Sequence, residues 1–237
     1  MNTSAGASRG GEIRAGVRDA WPVAFGLIPL GLALGLLITQ SGFAWWWAPI
    51  FSIVIYAGSM EFLALNMILS GVGPLSALVT GFMVNFRHIF YGLTYPRHLI
   101  SSPLGKAYST YALIDEAYAI ASVRPVRSGT WLLTTQIMCQ AIWVASSTLG
   151  AVSGRALPED LEGLGFALTA LFVVLAYEAF VSSRDISAVL IAGGIGALCA
   201  LLTPANVLMV ALSAYFVLLL VRFWVPRVDN ALRWEVR

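Results

Sequence analysis

Charge is what this sequence has least of. Of its 237 residues only 11% are Asp, Glu, Lys or Arg, against 59% hydrophobic, where a soluble domain carries about 25% charged residues. That leaves too little polar surface to coat a globule in water. The basic residues form no stripe or Lys/Arg-rich run, and the formal net charge is only +2, which excludes a phosphate-gripping nucleic-acid surface. Cysteine is scarce as well: Cys139 and Cys199 stand alone in apolar stretches, so neither a disulfide framework nor a metal site is indicated, and both read as small core residues. No GxSxG, HExxH, P-loop or dinucleotide fingerprint is present, so no catalytic constellation, ATP-driven pump or cofactor is expected. A cleavable signal is not expected either, because the apolar run after Trp21 continues for a full span.

What the chain has is long apolar stretches with short polar punctuation. Each approaches the roughly 20 residues that an α-helix needs to cross a bilayer core of about 30 Å. Segments are expected at about 20–38, 45–68, 74–94, 107–122, 130–150, 163–182, 186–202 and 205–224. The fold class is therefore an all-α integral membrane protein, a polytopic bundle of about 7–8 membrane segments, some broken or re-entrant. The fourth segment is short and holds Asp115 and Glu116 at its centre, so it is a candidate for re-entry or burial. Residues 1–19 read as a disordered cytoplasmic arm, 20–225 as the transmembrane transporter domain and 226–237 as a cytoplasmic tail.

Cytoplasmic loops accumulate Lys and Arg. Arg9, Arg14 and Arg18 at one end and Arg222, Arg227, Arg233 and Arg237 at the other place both termini inside, with the Glu159–Asp160–Glu162 loop outside. Arg97 and Lys106 fit this poorly, so either the third and fourth segments do not both cross or those charges have a specific partner. Trp45, Trp46, Trp47, Trp131 and Trp224 lie at segment ends as interfacial anchors, and Gly31 with Gly35, Gly150 with Gly154, and Gly193, Gly194 and Gly196 suggest close helix packing.

Few residues in the spans bear chemistry. Pro22 and Pro29 interrupt the first segment, and freed backbone groups in a broken helix hold substrates or ions in many transporters. Glu61 follows Gly58 and Ser59 inside the second, where a carboxylate costs about 2.5–3.5 kcal/mol on translocon scales. The third ends in Asn85, Phe86, Arg87 and His88; Arg87 suits either a structural pairing with Glu61 or Asp115 or a bidentate grip on a substrate carboxylate. Adjacent Asp115 and Glu116 fall on different helix faces and form no catalytic dyad. Glu178, near the end of the sixth, reads as interfacial.

The runs AGSMEF at 57–62, NFRHIFYG at 85–92 and DEAYA at 115–119, with the Pro/Gly-rich first segment, resemble the AzlC-type family of branched-chain amino acid permeases over residues 20–221. The resemblance implies export of Leu, Ile or Val from a prokaryote, across its plasma (inner) membrane, alongside a small hydrophobic AzlD-type membrane subunit. Where the family pattern carries an Asp before Phe-Ala in the sixth segment, this chain has Gly165 before Phe166 and Ala167.

The expected site for a small zwitterionic amino acid is Arg87, Glu61, Asn85, Ser59, Gly58, Pro29 and Phe62, with Phe86 beside the apolar side chain. Glu61, Asp115, Glu116 and His88 are the candidates for a coupling proton. The rival reading is a non-transporting scaffold whose buried charges only pair helices; an intramembrane enzyme ranks last. Water reaching Glu61 or Arg87 would favour a transporter over a scaffold.

Overall fold

The computed structural model describes residues 8–154 and 184–234, together with 156, 169, 173, 176, 177, 180 and 181. Regular structure among them is helical, as a bilayer demands: with no water to meet backbone N–H and C=O groups, a helix satisfies them within one segment. The helices are α1 Arg9–Gln40, α2 Trp47–Val54, α3 Ser59–Leu69, α4 Pro74–Asn85, α5 Arg87–Thr94, α6 Pro103–Tyr111, α7 Asp115–Val123, α8 Gly129–Gly154, α9 Ile186–Leu202, α10 Val207–Trp224 and α11 Pro226–Leu232. Among them α1, α8 and α10 are long and apolar enough to cross a membrane singly. The chain is an all-α membrane protein. It divides into two compact units, Met1–Phe62 with Arg87–Gly165 and Leu63–Phe86 with Phe166–Arg237.

The first unit is built on α1 and α8. Helix α1 runs unbroken through Pro22 and Pro29, which corrects the expected discontinuity. Both prolines lie on its exposed side, while Ala20, Ala24, Leu27, Gly31, Leu34, Gly35 and Ile38 are buried. The helix is held by that packed face, although each proline removes one i→i−4 hydrogen bond. Pro29 therefore lies in a continuous helix, on its exposed side. α1 also begins at Arg9, well inside the expected arm, with the Ser8 hydroxyl accepting the Gly11 N–H at 3.3 Å. Ala15, Gly16 and Asp19 are already buried, and the Trp131 indole donates to Asp19 at 3.1 Å. Trp131 is fully buried, not an interfacial anchor, while Trp45, Trp46 and Trp224 are exposed as expected.

Small residues permit the crossing. A Cβ on Gly35 would collide with the Ser147 carbonyl and the Ala151 amide, and one on Gly150 with the Leu32 backbone. The expected pairs Gly31/Gly35 and Gly150/Gly154 are thus the contact itself, whereas a Cβ on Gly193, Gly194 or Gly196 would meet no described atom.

The breaks fall in the second, third and fourth segments instead. α2 and α3 are separated by Ile55–Gly58, where Tyr56 (φ 40°) and Gly58 (φ 47°) adopt left-handed backbone; for a tyrosine this costs about 1–2 kcal/mol. α4 gives way to α5 at Phe86, and α6 to α7 at 112–114. With 9 residues each, α6 and α7 are too short to cross alone at about 1.5 Å per residue. Asp115 and Glu116 open α7, directly after the 112–114 break in the middle of the expected fourth segment; an acidic first turn suits the positive end of the helix dipole. Of the two charges that strained the topology, Arg97 has partners: it donates to the Thr110 hydroxyl and the Gly92 carbonyl.

In the second unit α4 and α9 each pack on α10. Phe86 meets Phe216 edge-to-face at 4.6 Å, and Ser76 donates to Asn206 at 2.9 Å. α9 and α10 coincide closely with the expected seventh and eighth segments. The terminal helix α11, expected only as tail, is tied down by buried Arg222, which pairs with Asp185 at 2.6 Å and Asp229 at 2.8 Å. Burial works against the ionised Asp185, but hydrogen bonds from Ser187, Arg222 and the Trp234 N–H, with the Arg222 charge, outweigh it and hold the carboxyl down at about 2. Both cysteines are buried and free. The acidic 159–162 loop, Gly165 and Glu178 lie outside the described residues.

Gly35→Val is expected to abolish folded protein, since backbone atoms cannot give way and the cost exceeds the usual ~1–3 kcal/mol of overpacking. Gly26→Ala, on the same helix and facing open space, should melt within a few degrees of wild type; detergent-solubilised thermal unfolding compares them.

Candidate functional site

Two polar centres lie in the first unit, both at helix breaks. At the α2–α3 break Glu61 is fully buried. Its carboxyl accepts the Trp143 indole N–H at 2.9 Å to each oxygen and the Ala57 N–H at 3.2 Å, and it lies 3.3 Å from the Ser52 hydroxyl. Ser52 is 2.8 Å from Ser147, one turn beyond Trp143 on α8. No Lys or Arg forms an ion pair with Glu61 among the described residues. On the other side of the break Tyr111 donates to the Ile53 carbonyl, itself positioned by Gln140 at 2.7 Å, which in turn accepts from Tyr108 at 2.7 Å.

The second centre joins α5 to α7. Arg87, the first residue of α5, pairs with Asp115, the first of α7, at 2.6 Å. Of the two partners open to Arg87 in the sequence, the fold takes Asp115. This pair is not buried dry: 39% of the Arg87 side chain and 34% of Asp115 are exposed, and Arg87 Nε has no hydrogen-bond partner among the described residues. Beneath it Tyr91 and Tyr118 stack at 4.3 Å, His88 packs edge-on to Tyr91 at 5.5 Å, and Thr94 donates to the Tyr118 hydroxyl at 3.1 Å. These contacts fix the spacing of the two helix starts.

The expected site residues thus separate. Arg87 and Asp115 meet, with His88 beside them and Glu116 on the same first turn. Glu61, Gly58 and Ser59 form the other centre. Asn85 closes α4, half-buried. Phe62 is 1% exposed and holds α3 in place, so it lines nothing in this conformation. Ser52, Trp143 and Ser147 are the functional residues the sequence reading missed. Gln136, Gln140, Trp143 and Ser147 recur at four, three and four residues, a polar stripe in an otherwise apolar helix, and that periodicity was the available signal.

Among the described residues of the second unit two cavities stand out. One of about 310 Å³, lined by Met67, Thr80, Asn206 and Met209 among others, has no charged side chain to orient a zwitterion. The other, of about 730 Å³, holds Asp185, Arg222 and Asp229, but Arg222 is already engaged by both acids.

The model of the family described as AzlC protein matches residues 22–157, which include Glu61, Arg87, Asp115, Trp143 and Ser147. The chain belongs to the AzlC family. It is 33% identical over 181 residues to the branched-chain amino acid transport protein AzlC of Bacillus subtilis, covering 73% of this chain and 71% of that protein. It is 30% identical over 176 residues to the inner membrane protein YgaZ of Escherichia coli, covering 70% and 72%. An uncharacterized membrane protein of Archaeoglobus fulgidus is 28% identical over 174 residues, covering 71% and 76%. No solved structure matches.

Because the Arg87–Asp115 pair of this AzlC protein is more than one-third open, it contributes at most about 1 kcal/mol to folding. Arg87→Ala should therefore reach the membrane at near wild-type abundance and melt within a few degrees of it, as read by size-exclusion fluorescence and thermal unfolding.

Proposed function

We propose that this AzlC-family chain moves branched-chain amino acids outward across the plasma membrane of a prokaryote, as the large subunit beside a small hydrophobic AzlD-type partner. The observation that carries this reading is the accessible Arg87–Asp115 pair. A scaffold has no use for an open ion pair, whereas a zwitterion can replace it: its carboxylate takes the Arg87 guanidinium and its ammonium takes Asp115. Both protein charges keep a partner throughout, so each trades one ion pair for another. The family match and the name of the Bacillus subtilis relative support the substrate class.

Glu61 serves as the coupling proton's site in this reading. It is buried, faces no cation among the described residues, and accepts hydrogen bonds at both oxygens. An aliphatic side chain on the substrate adds selectivity of about 1–3 kcal/mol per methylene, enough to separate Leu, Ile and Val from Ala but not sharply from each other.

Proteoliposomes loaded with labelled leucine, isoleucine or valine, with and without the small subunit, test the proposal. Arg87→Lys, which loses the bidentate fork, and Asp115→Asn are each expected to raise the half-saturating concentration about 30-fold, equivalent to about 2 kcal/mol. Wild-type transport by both variants sinks the assignment of the pair.

Orientation is tested separately. Single cysteines beside each terminus should label only from the cytoplasm, and one in the 159–162 loop only from outside. Termini on opposite sides contradict the even number of crossings.

A further inference from the structure

We infer that Ser52, Ser147 and Trp143 make Glu61 a two-state proton holder, with the indole favouring the ionised carboxylate and the two hydroxyls reversing direction so that either state is satisfied. The inference rests on the reading of Glu61 as a proton site and names the residues that set its affinity. It comes from counting hydrogens. Ser147 lies 3.1 Å from the Val144 carbonyl, 2.8 Å from Ser52, and Ser52 lies 3.3 Å from Glu61 Oε2. Two serine hydrogens cannot serve three contacts.

Protonated Glu61 supplies the third. Its hydroxyl donates to Ser52, Ser52 donates to Ser147, and Ser147 donates to Val144; Oε1 meanwhile accepts from Trp143 and Ala57. When Glu61 is ionised the chain reverses. Ser147 donates to Ser52, Ser52 donates to the carboxylate, and the Val144 carbonyl keeps the Thr148 hydroxyl at 2.6 Å. Both states then leave no hydroxyl stranded. They differ by one proton on Glu61 and two hydroxyl rotations, with no heavy atom required to move. A buried carboxyl satisfied in only one state would be locked in it.

The surroundings leave control to these groups. Residues 22–40 of α1 and all of α2 hold no acidic, basic, Cys or Tyr side chain, and α3 holds Glu61 alone. Tyr56 lies in the break itself, Tyr111 of α6 packs on it at 5.9 Å, and Cys139 of α8 and Glu116 of α7 are within electrostatic reach of Tyr56. Arg87 is occupied by Asp115.

The test is infrared difference spectroscopy of the reconstituted full chain, following the protonated-carboxyl C=O band assigned with Glu61→Gln, beside transport against pH. Trp143→Phe removes a donor that favours the anion and should move the band's midpoint up by about one pH unit. Ser147→Ala leaves the Ser52 hydrogen no partner but Glu61, and should move it down by about half a unit. Opposite signs support the inference; a merely structural role would shift neither or both alike. If Trp143→Phe does not accumulate, benzothienylalanine at position 143 removes the N–H while keeping the ring shape. A band that titrates with an unmoved midpoint in both variants overturns the inference and leaves the proton-site reading standing. A band that never titrates, with Glu61→Gln keeping wild-type pH dependence, overturns both.

Discussion

A broken helix inside a bilayer exposes backbone N–H and C=O groups that lipid cannot meet, and in the first unit this constraint decides where the polar side chains must be. At the α2–α3 break the Ala57 N–H finds Glu61 and the Ile53 carbonyl finds Tyr111. The same two side chains then need partners of their own, which α8 supplies as Trp143 and Gln140. Functional groups and structural groups are therefore one network. A carboxylate that first secures a break becomes, by its burial, a site whose charge state matters.

That network needs α8 held in fixed register, and the close crossing of α1 provides it. Gly35 lies directly against the Ser147 carbonyl, and Ser147 is also the far end of the hydroxyl chain to Glu61. A displacement of α1 along α8 would therefore be felt at Glu61 without any residue of α1 touching it. Packing density, not a direct hydrogen bond, links the two.

Much of this was legible in the residues. Hydropathy located the apolar helices of the second unit most closely: α9 and α10 fall almost where the apolar runs end. Arg87, Glu61 and Asp115 stood out because charge in an apolar run has to be explained. The breaks were misplaced for a physical reason. Proline removes a hydrogen bond but leaves the helix standing when the opposite face is well packed, as Pro22 and Pro29 show. The actual breaks lie at 56–58, Phe86 and 112–114, where no proline marks them; at the first, the Ile53 carbonyl is met by Tyr111, 58 positions away. Such partners are invisible to a window of neighbouring residues. Trp143 was illegible for the same reason: an indole in an apolar helix reads as bulk until the acid it meets, 82 positions away, is known.

The two arginine clusters differ in exposure although their chemistry is the same. Arg222 is 8% exposed and holds two aspartates, one of them from α11, so its guanidinium is saturated and breaking either contact would strand a buried charge. Arg87 pairs with one acid among the described residues, at the same 2.6 Å, yet more than a third of its side chain is open and its Nε has no hydrogen-bond partner among them. A saturated, desolvated cluster fastens the tail helix to the start of α9 and resists exchange. An unsaturated, accessible pair loses little when a ligand with the same two charges takes its place, because each charge trades one partner for another in a setting already partly solvated. Exchange of this kind is what a carrier requires of its binding site, since a site that held its own ion pair as firmly as Arg222 does would never open to a substrate.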